Sequence, residues 1–204
     1  MKPTQAIAGA LLAVLAAGCA HAPEARAGAS LDRVMSLGDF DHALLSTAIF
    51  EESNRVREAH GSPPLGHLAA LDAAADEQAS YLALSLSVGH RNPFLGERDE
   101  GERVIHEGLD PARVGENAIM MPAAAPGSPG GGYTYASYAA FLVGGWMDSP
   151  EHRETLLARR FTHLGCAARL AHGFAQGDQR IFAVQEFFRP ADRKMASPEG
   201  AARH

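Results

Sequence analysis

The chain has 204 residues, 46% of them hydrophobic and 21% charged, which suits one ordinary domain with a sizeable core and excludes collagen, a coiled coil or wholesale disorder. Its formal charge of −6 is not that of a general nucleic-acid binder, which needs a basic face, so no nucleic-acid partner is expected. Ten histidines are many for this length and direct attention to metal or acid–base chemistry.

In chain order, residues 1–18 read as a signal peptide. Lys2 gives the positive start, and Ala6 to Ala17 is an apolar run of 12 residues, too short to cross a hydrocarbon layer of ~30 Å as a helix. The run ends in Leu15-Ala16-Ala17-Gly18-Cys19, which resembles a bacterial lipobox, with Ala16 where leucine is usual. That resemblance implies cleavage before Cys19, lipidation of Cys19 and hence a membrane as partner. Plain secretion with a cut near Ala25-Arg26-Ala27 is the alternative. Ala20, in place of an inner-membrane retention Asp, directs an anchored chain to the outer membrane where a cell has one. Residues 19–40, Ala-, Gly- and Pro-rich towards their start, read as a lipid-anchored tether. With Cys19 acylated, Cys166 has no partner and the domain stands without a disulfide. Loss of Lys2 with the signal leaves 17 basic against 24 acidic side chains, a charge of −7.

The domain proper is expected over residues 41–190. Leu45, Ile49 and Val56 recur at helical spacing from Asp41 until Gly61-Ser62-Pro63-Pro64. A second, Ala-rich helix runs from Leu68 to Leu86, followed by a loop over Gly89 to Arg98. A short helix over Glu102–Glu107 is closed by Gly108, and Gly115 to Met121 reads as an extended segment. Pro122 to Gly132 is an insertion rich in Pro, Gly and Ala. Tyr135 to Met147 is helical, with Trp146 in the core. Ser149 is placed to cap a further helix that has Pro150 at its first position. Thr162–Leu170 and Arg180–Phe188 are rich in branched and aromatic residues, and the glycines between them suit an antiparallel hairpin. Residues 191–204 form a tail. Plentiful helices and antiparallel strands without βαβ alternation give an α+β class.

Three side chains stand out for chemistry. His90 follows a helix end, Glu116 lies at the mouth of an apolar segment, and His152 lies one turn into the helix opened by Ser149-Pro150. A carboxylate among apolar neighbours needs a partner, which imidazoles or backbone amides can supply. Two imidazoles and one carboxylate also make a three-ligand zinc set with an open position, although spacing does not prove that they meet. An architectural reading stands beside this one, with His90 capping its helix and Glu116 anchoring loops. Cys166 reads as a small buried hydrophobe and Ser149 as a cap without an activating His–Asp pair. The metalloprotease motif H-E-x-x-H is absent, and no polybasic block marks an anionic-lipid surface.

Read together, the pieces resemble a known family. Asn54-Arg55-Val56-Arg57 with Gly61-Ser62-Pro63-Pro64-Leu65, Gly89-His90, Arg103 to Gly108 and Gly115-Glu116-Asn117-Ala118 come first. Trp146-Met147-Asp148-Ser149-Pro150-Glu151-His152-Arg153, Phe161-Thr162-His163-Leu164-Gly165-Cys166 and Val184-Gln185-Glu186-Phe187 follow in order. This is similar to the CAP superfamily of cysteine-rich secretory, antigen 5 and pathogenesis-related proteins, in its bacterial, disulfide-free branch. The resemblance spans about 145 residues, Leu44 to Phe188. It implies a three-layer α–β–α sandwich with an antiparallel central sheet and an open cleft carrying two histidines and two glutamates. His90, Glu116 and His152 fill three of those places, and Ser149 stands at the fourth. A bound zinc through His90 and His152 with Glu116 is one implication. Its main functional implication is a binding module for a small apolar, glycan or peptide ligand. The alternative is a metal-assisted peptidase with Glu116 as general base, and a purely structural envelope role is a third reading.

Overall fold

The computed structural model describes residues 30–96, 98–123, 132–172 and 178–192. The signal peptide, residues 19–29 of the tether with Cys19, the middle of the Pro/Gly insertion, Gly173 and Gly177, and the tail from residue 193 on lie outside them.

Helix α1 (His42–Ala59) starts on Asp41, whose side chain accepts from the Leu44 amide at 3.0 Å. Its apolar stripe buries Leu44, Leu45, Ala48, Ile49 and Val56. Two polar residues of α1 secure the loop that follows. Asn54 exchanges two hydrogen bonds with the backbone of Leu65, at 3.0 and 2.8 Å. Arg57, fully buried, donates to the carbonyls of Pro63, Leu156 and Ala158. The first-helix motif is therefore architectural, because the hydrogen bonds that Asn54 and Arg57 make all end on backbone groups.

A two-residue strand β1 (Gly66–His67) comes next, then α2 (Ala69–Ser85) and α3 (Glu100–His106). α3 begins before the expected Glu102, because Asp99 and Glu102 close a reciprocal capping box. Gly108 ends this segment as expected, at φ +81°. The extended segment read at Gly115–Met121 is longer: β2 runs Pro111–Pro122. Helix α4 (Tyr135–Asp148) passes at Ser149 into α5 (Pro150–Leu157). Ser149 occupies the cap position with Pro150 after it, but its hydroxyl makes no capping hydrogen bond. Strands β3 (His163–Ala171) and β4 (Arg180–Pro190) complete the set.

The sheet order is β1-β3-β4-β2, with β2 at one edge. β3–β4 and β4–β2 are antiparallel, as expected, and the unforeseen β1 pairs parallel with β3. Two residues carry too little periodicity for β1 to be visible in sequence. On one face of the sheet, α1, α4 and α5 enclose a core that includes Trp146, Leu156, Phe161 and Phe187. On the other, α2 and α3 cover Ala167, Phe182, Val184 and Phe188. These are the layers of an α–β–α sandwich.

One boundary is corrected. Residues 30–40, read as tether, belong to the domain. Met35 is 1% exposed, its amide donates to Tyr133 O at 2.8 Å, and Arg33 pairs with Asp41 at 2.9 Å. Leu31, Leu37 and Phe40 also pack against the core that holds Met35, but their irregular spacing shows neither helix nor strand.

Leu86 caps α2 in the left-handed region, at φ 56°, and is the single non-glycine residue with positive φ among those described. Glycine is the residue that adopts this position freely, and a branched side chain there costs about 1–2 kcal/mol. Leu86→Gly is accordingly expected to raise stability in urea by up to about 1 kcal/mol, after the entropy that glycine adds to the unfolded chain. An unchanged or lower midpoint would show that Leu86 makes contacts that offset its backbone strain.

Candidate functional site

The candidate residues gather at edge strand β2. Glu116 and Asn117 point to opposite faces of the sheet, as successive strand residues must. Asn117 faces α1 and α5 and is fully buried. Its Nδ2 donates to Gln185 Oε1 at 3.0 Å and to the backbone carbonyl of His152 at 3.1 Å. Gln185 in turn donates to Ser53 of α1 at 2.7 Å. This chain of amides ties the helix carrying His152 to the strand carrying Glu116.

Glu116 faces the α2–α3 layer. Its side chain is 1% exposed and both oxygens are engaged. Oε1 meets His90 Nδ1 at 2.6 Å, and Oε2 takes the guanidinium of Arg103. Directly across the ladder from Glu116 lies Glu186. Like charges set opposite each other on a sheet repel, and burial multiplies that cost. Arg103 resolves the conflict. It is wholly buried, donates to Glu186 Oε1 at 3.1 and 3.3 Å, and also holds the carbonyls of His90 (3.1 Å) and Arg98 (3.0 Å). One guanidinium thus fastens β2, β4 and the loop that bears His90. Burial first, and then the charge of Glu116, push the Glu186 carboxyl well above its ordinary range. That bias of Glu186 towards the neutral acid eases the repulsion across the ladder, while Arg103 reaches both carboxyls and His90 reaches Glu116 alone.

The two imidazoles differ. His90 has a half-exposed side chain, and its hydrogen bond to Glu116 raises its pKa. His152 is pushed the other way, chiefly by burial and then by the charge of His90. His152 lies on α5, whose backbone is tied to β2 through Asn117, whereas His90 lies on the loop after α2. One imidazole is thus biased towards the cation and the other towards the neutral form.

The zinc expectation meets a poor fit. A three-ligand site needs its donor atoms clustered, and among the described residues one group of His, Cys, Asp or Glu has all its ligand atoms within 4.8 Å: Glu77, His106 and Glu107. His90, Glu116 and His152 do not form such a group, and Arg103 brings a fixed positive charge onto the carboxylate a cation would need. The same contacts bear on Glu116 as a general base, since both of its oxygens are already committed to cations or donors. Trp146 is fully buried and Cys166 is 1% exposed, with its thiol pushed up by burial.

Arg103 and Glu186 escaped the sequence reading. Glu186 carried the same signal as Glu116, an acid among apolar strand residues that must find a partner. Arg103 was visible only as part of a short helix.

These features define an α–β–α sandwich with a His/Glu site at the sheet edge. The profile of the cysteine-rich secretory protein (CAP) family matches residues 50–187, and the chain belongs to that family. An extracellular SCP-domain protein from Bacillus anthracis is similar in fold, with a TM-score of 0.54 and 23% identity; the match covers 72% of this chain and 41% of that one. The chain therefore spans about two fifths of the Bacillus protein. An outer surface protein from Borrelia burgdorferi is similar with a TM-score of 0.53 and 17% identity, covering 72% of this chain and 93% of that one. No curated protein matches the sequence. Among the described residues, no helix is long and apolar enough to cross a membrane.

Proposed function

We infer that this CAP domain is an exported binding module, held at the cell envelope through an acylated Cys19, that takes a small ligand at the His90–Glu116–His152 edge without transforming it. The observation that carries the reading is the graded burial of the site. Glu116, Arg103 and Glu186 form a dry, fixed base, and His90 stands half-exposed upon it. Glu116 accepts from His90 Nδ1–H and orients the ring, so that Nε2 faces the ligand as a donor whenever the ring is protonated. Such a donor suits the acceptor oxygen of a peptide, a glycan or the polar end of an apolar molecule. The neutral His152 adds a second polar contact of adjustable tautomer. The similarity to an extracellular protein and to an outer surface protein supports export.

Native mass spectrometry of the protein purified from its own host tests this. The expected result is a chain beginning at Cys19 with acyl mass, plus a retained small molecule that His90→Ala with His152→Ala loses while the fold persists. Affinity for that molecule should fall as pH rises through the raised pKa of His90, because the charged donor is lost in that direction. A chain that starts elsewhere without acyl mass overturns the anchor, and retention indifferent to both histidines overturns the site.

A further inference from the structure

The sheet has one end where Pro122, Ala171 and Arg180 pair across β2, β3 and β4, beside the β3–β4 connection. Two features of the surface meet there. On the α1–α4 side the chain enters the domain: the Met35 amide donates to Tyr133 O, the Tyr133 ring meets Tyr138, and the Tyr138 hydroxyl donates to Pro122 O. On the α2 side, Leu82 packs with Ala171 and Phe182, and α2 then runs out past the sheet. Beyond Leu82 the apolar side chains turn outward. Leu84 is 72% exposed, Val88 46% and Leu86 37%, and Phe94 is 72% exposed while its ring meets Tyr81 edge-on. Gln78 holds the carbonyl of Gly89 at 2.7 Å, so this loop is fixed in place.

Single exposed apolar residues need no explanation, but four within eleven positions on a fixed loop do. Leu86 adds an independent sign: a left-handed backbone position, suited to glycine, is given to leucine with its side chain partly in water. A strained backbone that presents an apolar group points to use of that group. The charge pattern points the same way. Residues 78–96 contain no Asp, Glu or Lys and one charged residue, the exposed Arg91, in a chain of net charge −6.

We propose that this apolar rim, Leu84, Leu86, Val88 and Phe94, rests in the interfacial layer of the lipid bilayer that carries the anchor. The inference rests on the anchor reading at Cys19. From Cys19 to Ser30 the chain can span at most about 40 Å, and it enters the domain at the end of the sheet that bears the rim. An anchored domain therefore has this end within reach of its own membrane. Leucine, valine and phenylalanine supply insertion, and the absence of carboxylates removes repulsion from anionic headgroups.

The test uses the full chain with Cys19→Ser, which cannot be acylated, and vesicles of phosphatidylethanolamine with phosphatidylglycerol. The unlipidated chain is expected to co-sediment with the vesicles, and Leu84→Ser with Phe94→Ser in the same background should lower the partition about tenfold or more. Leu84 is exposed and Phe94 loses only its edge-on contact with Tyr81, so the variant should stay folded with a small drop in melting temperature. Leu84→Ser alone, with no such contact, should lower the partition without that drop. Cys19→Ser protein that stays in the supernatant, or that pellets equally with and without the rim substitutions, overturns the proposal. Self-association of the unlipidated chain that disappears with the rim substitutions, in the absence of vesicle binding, would assign the rim to a second copy and overturn it as well. The anchor reading fails separately, through wild-type protein from its host that carries no acyl mass on Cys19.

Discussion

Arg103→Met should cost about 3–5 kcal/mol of folding stability, the loss expected when a buried ionic cluster keeps its acids and loses its base. Methionine preserves much of the buried volume, so the effect isolates charge and hydrogen bonding from cavity formation. Four groups lose a donor at once: Glu116 (which keeps His90), Glu186 and the carbonyls of His90 and Arg98. The two carboxyls are cross-strand neighbours, so without Arg103 at least one must stay protonated or the β2–β4 pairing must open. Urea unfolding measured at pH 5 and pH 7 separates these. Glu186 has a folded pKa raised above the value of an unfolded glutamate, so the native state binds the extra proton. Stability from this group is fullest below the unfolded pKa and declines as pH rises towards the folded one. Removing Arg103 widens that window, because the guanidinium opposed the rise. The variant should therefore lose more at pH 7 than at pH 5, and Glu186→Gln added to it should recover part of the loss at pH 7. A loss below about 1 kcal/mol, flat with pH, would show that water or rearrangement satisfies the two acids and that Arg103 is not their keystone.

The order of elements and the class of fold were legible because long stretches keep a single period. α1, α2 and α4 repeat at helical spacing, and β3 and β4 are dense in apolar and branched residues. Boundaries shifted where a local cap outweighed the periodicity, as at Asp99, or where a strand outran its apolar part, as at Pro111. Met35 was hidden because the apolar side chains of its irregular segment, Leu31, Leu37 and Phe40 among them, follow neither period. At the site, spacing singled out His90, Glu116 and His152, and the structure joins the first two by a hydrogen bond. Spacing could not show that Glu116 has a like-charged neighbour across the ladder. Register between β2 and β4 is a tertiary fact, and with it comes the need for Arg103. The zinc reading treated Glu116 as a ligand in waiting, whereas Arg103 already meets its charge.

Gly165→Ala should be nearly as damaging, with a loss of about 3 kcal/mol or more, at the upper end of what overpacking costs. Gly165 lies on β3 directly beneath the first turn of α2. A methyl there would fall inside van der Waals contact with the Leu71 carbonyl carbon, the Asp72 amide nitrogen and the Leu71 Cβ. These are backbone atoms or atoms fixed to the backbone, so relief requires the whole helix to lift. A control shows what distinguishes this position. A methyl at Gly145 would also crowd its neighbours, but those are Met121 Cε and Ile119 Cδ1, the free ends of side chains that can turn aside. Gly145→Ala should therefore cost under about 1.5 kcal/mol. Lifting α2 would also strain the bond from Cys166 N to Asp72 Oδ1, now 2.9 Å, and α2 leads at its far end into Gly89 and His90. The site is thus coupled to this contact through a rigid lever. In Gly165→Ala that still folds, the His90 ring should lose its alignment with Glu116, and its titration measured by NMR should move down towards the value of a free imidazole. A destabilised variant with an unmoved His90 titration would mean that the loop is held by Arg103 and Gln78 alone, independently of where α2 sits on the sheet.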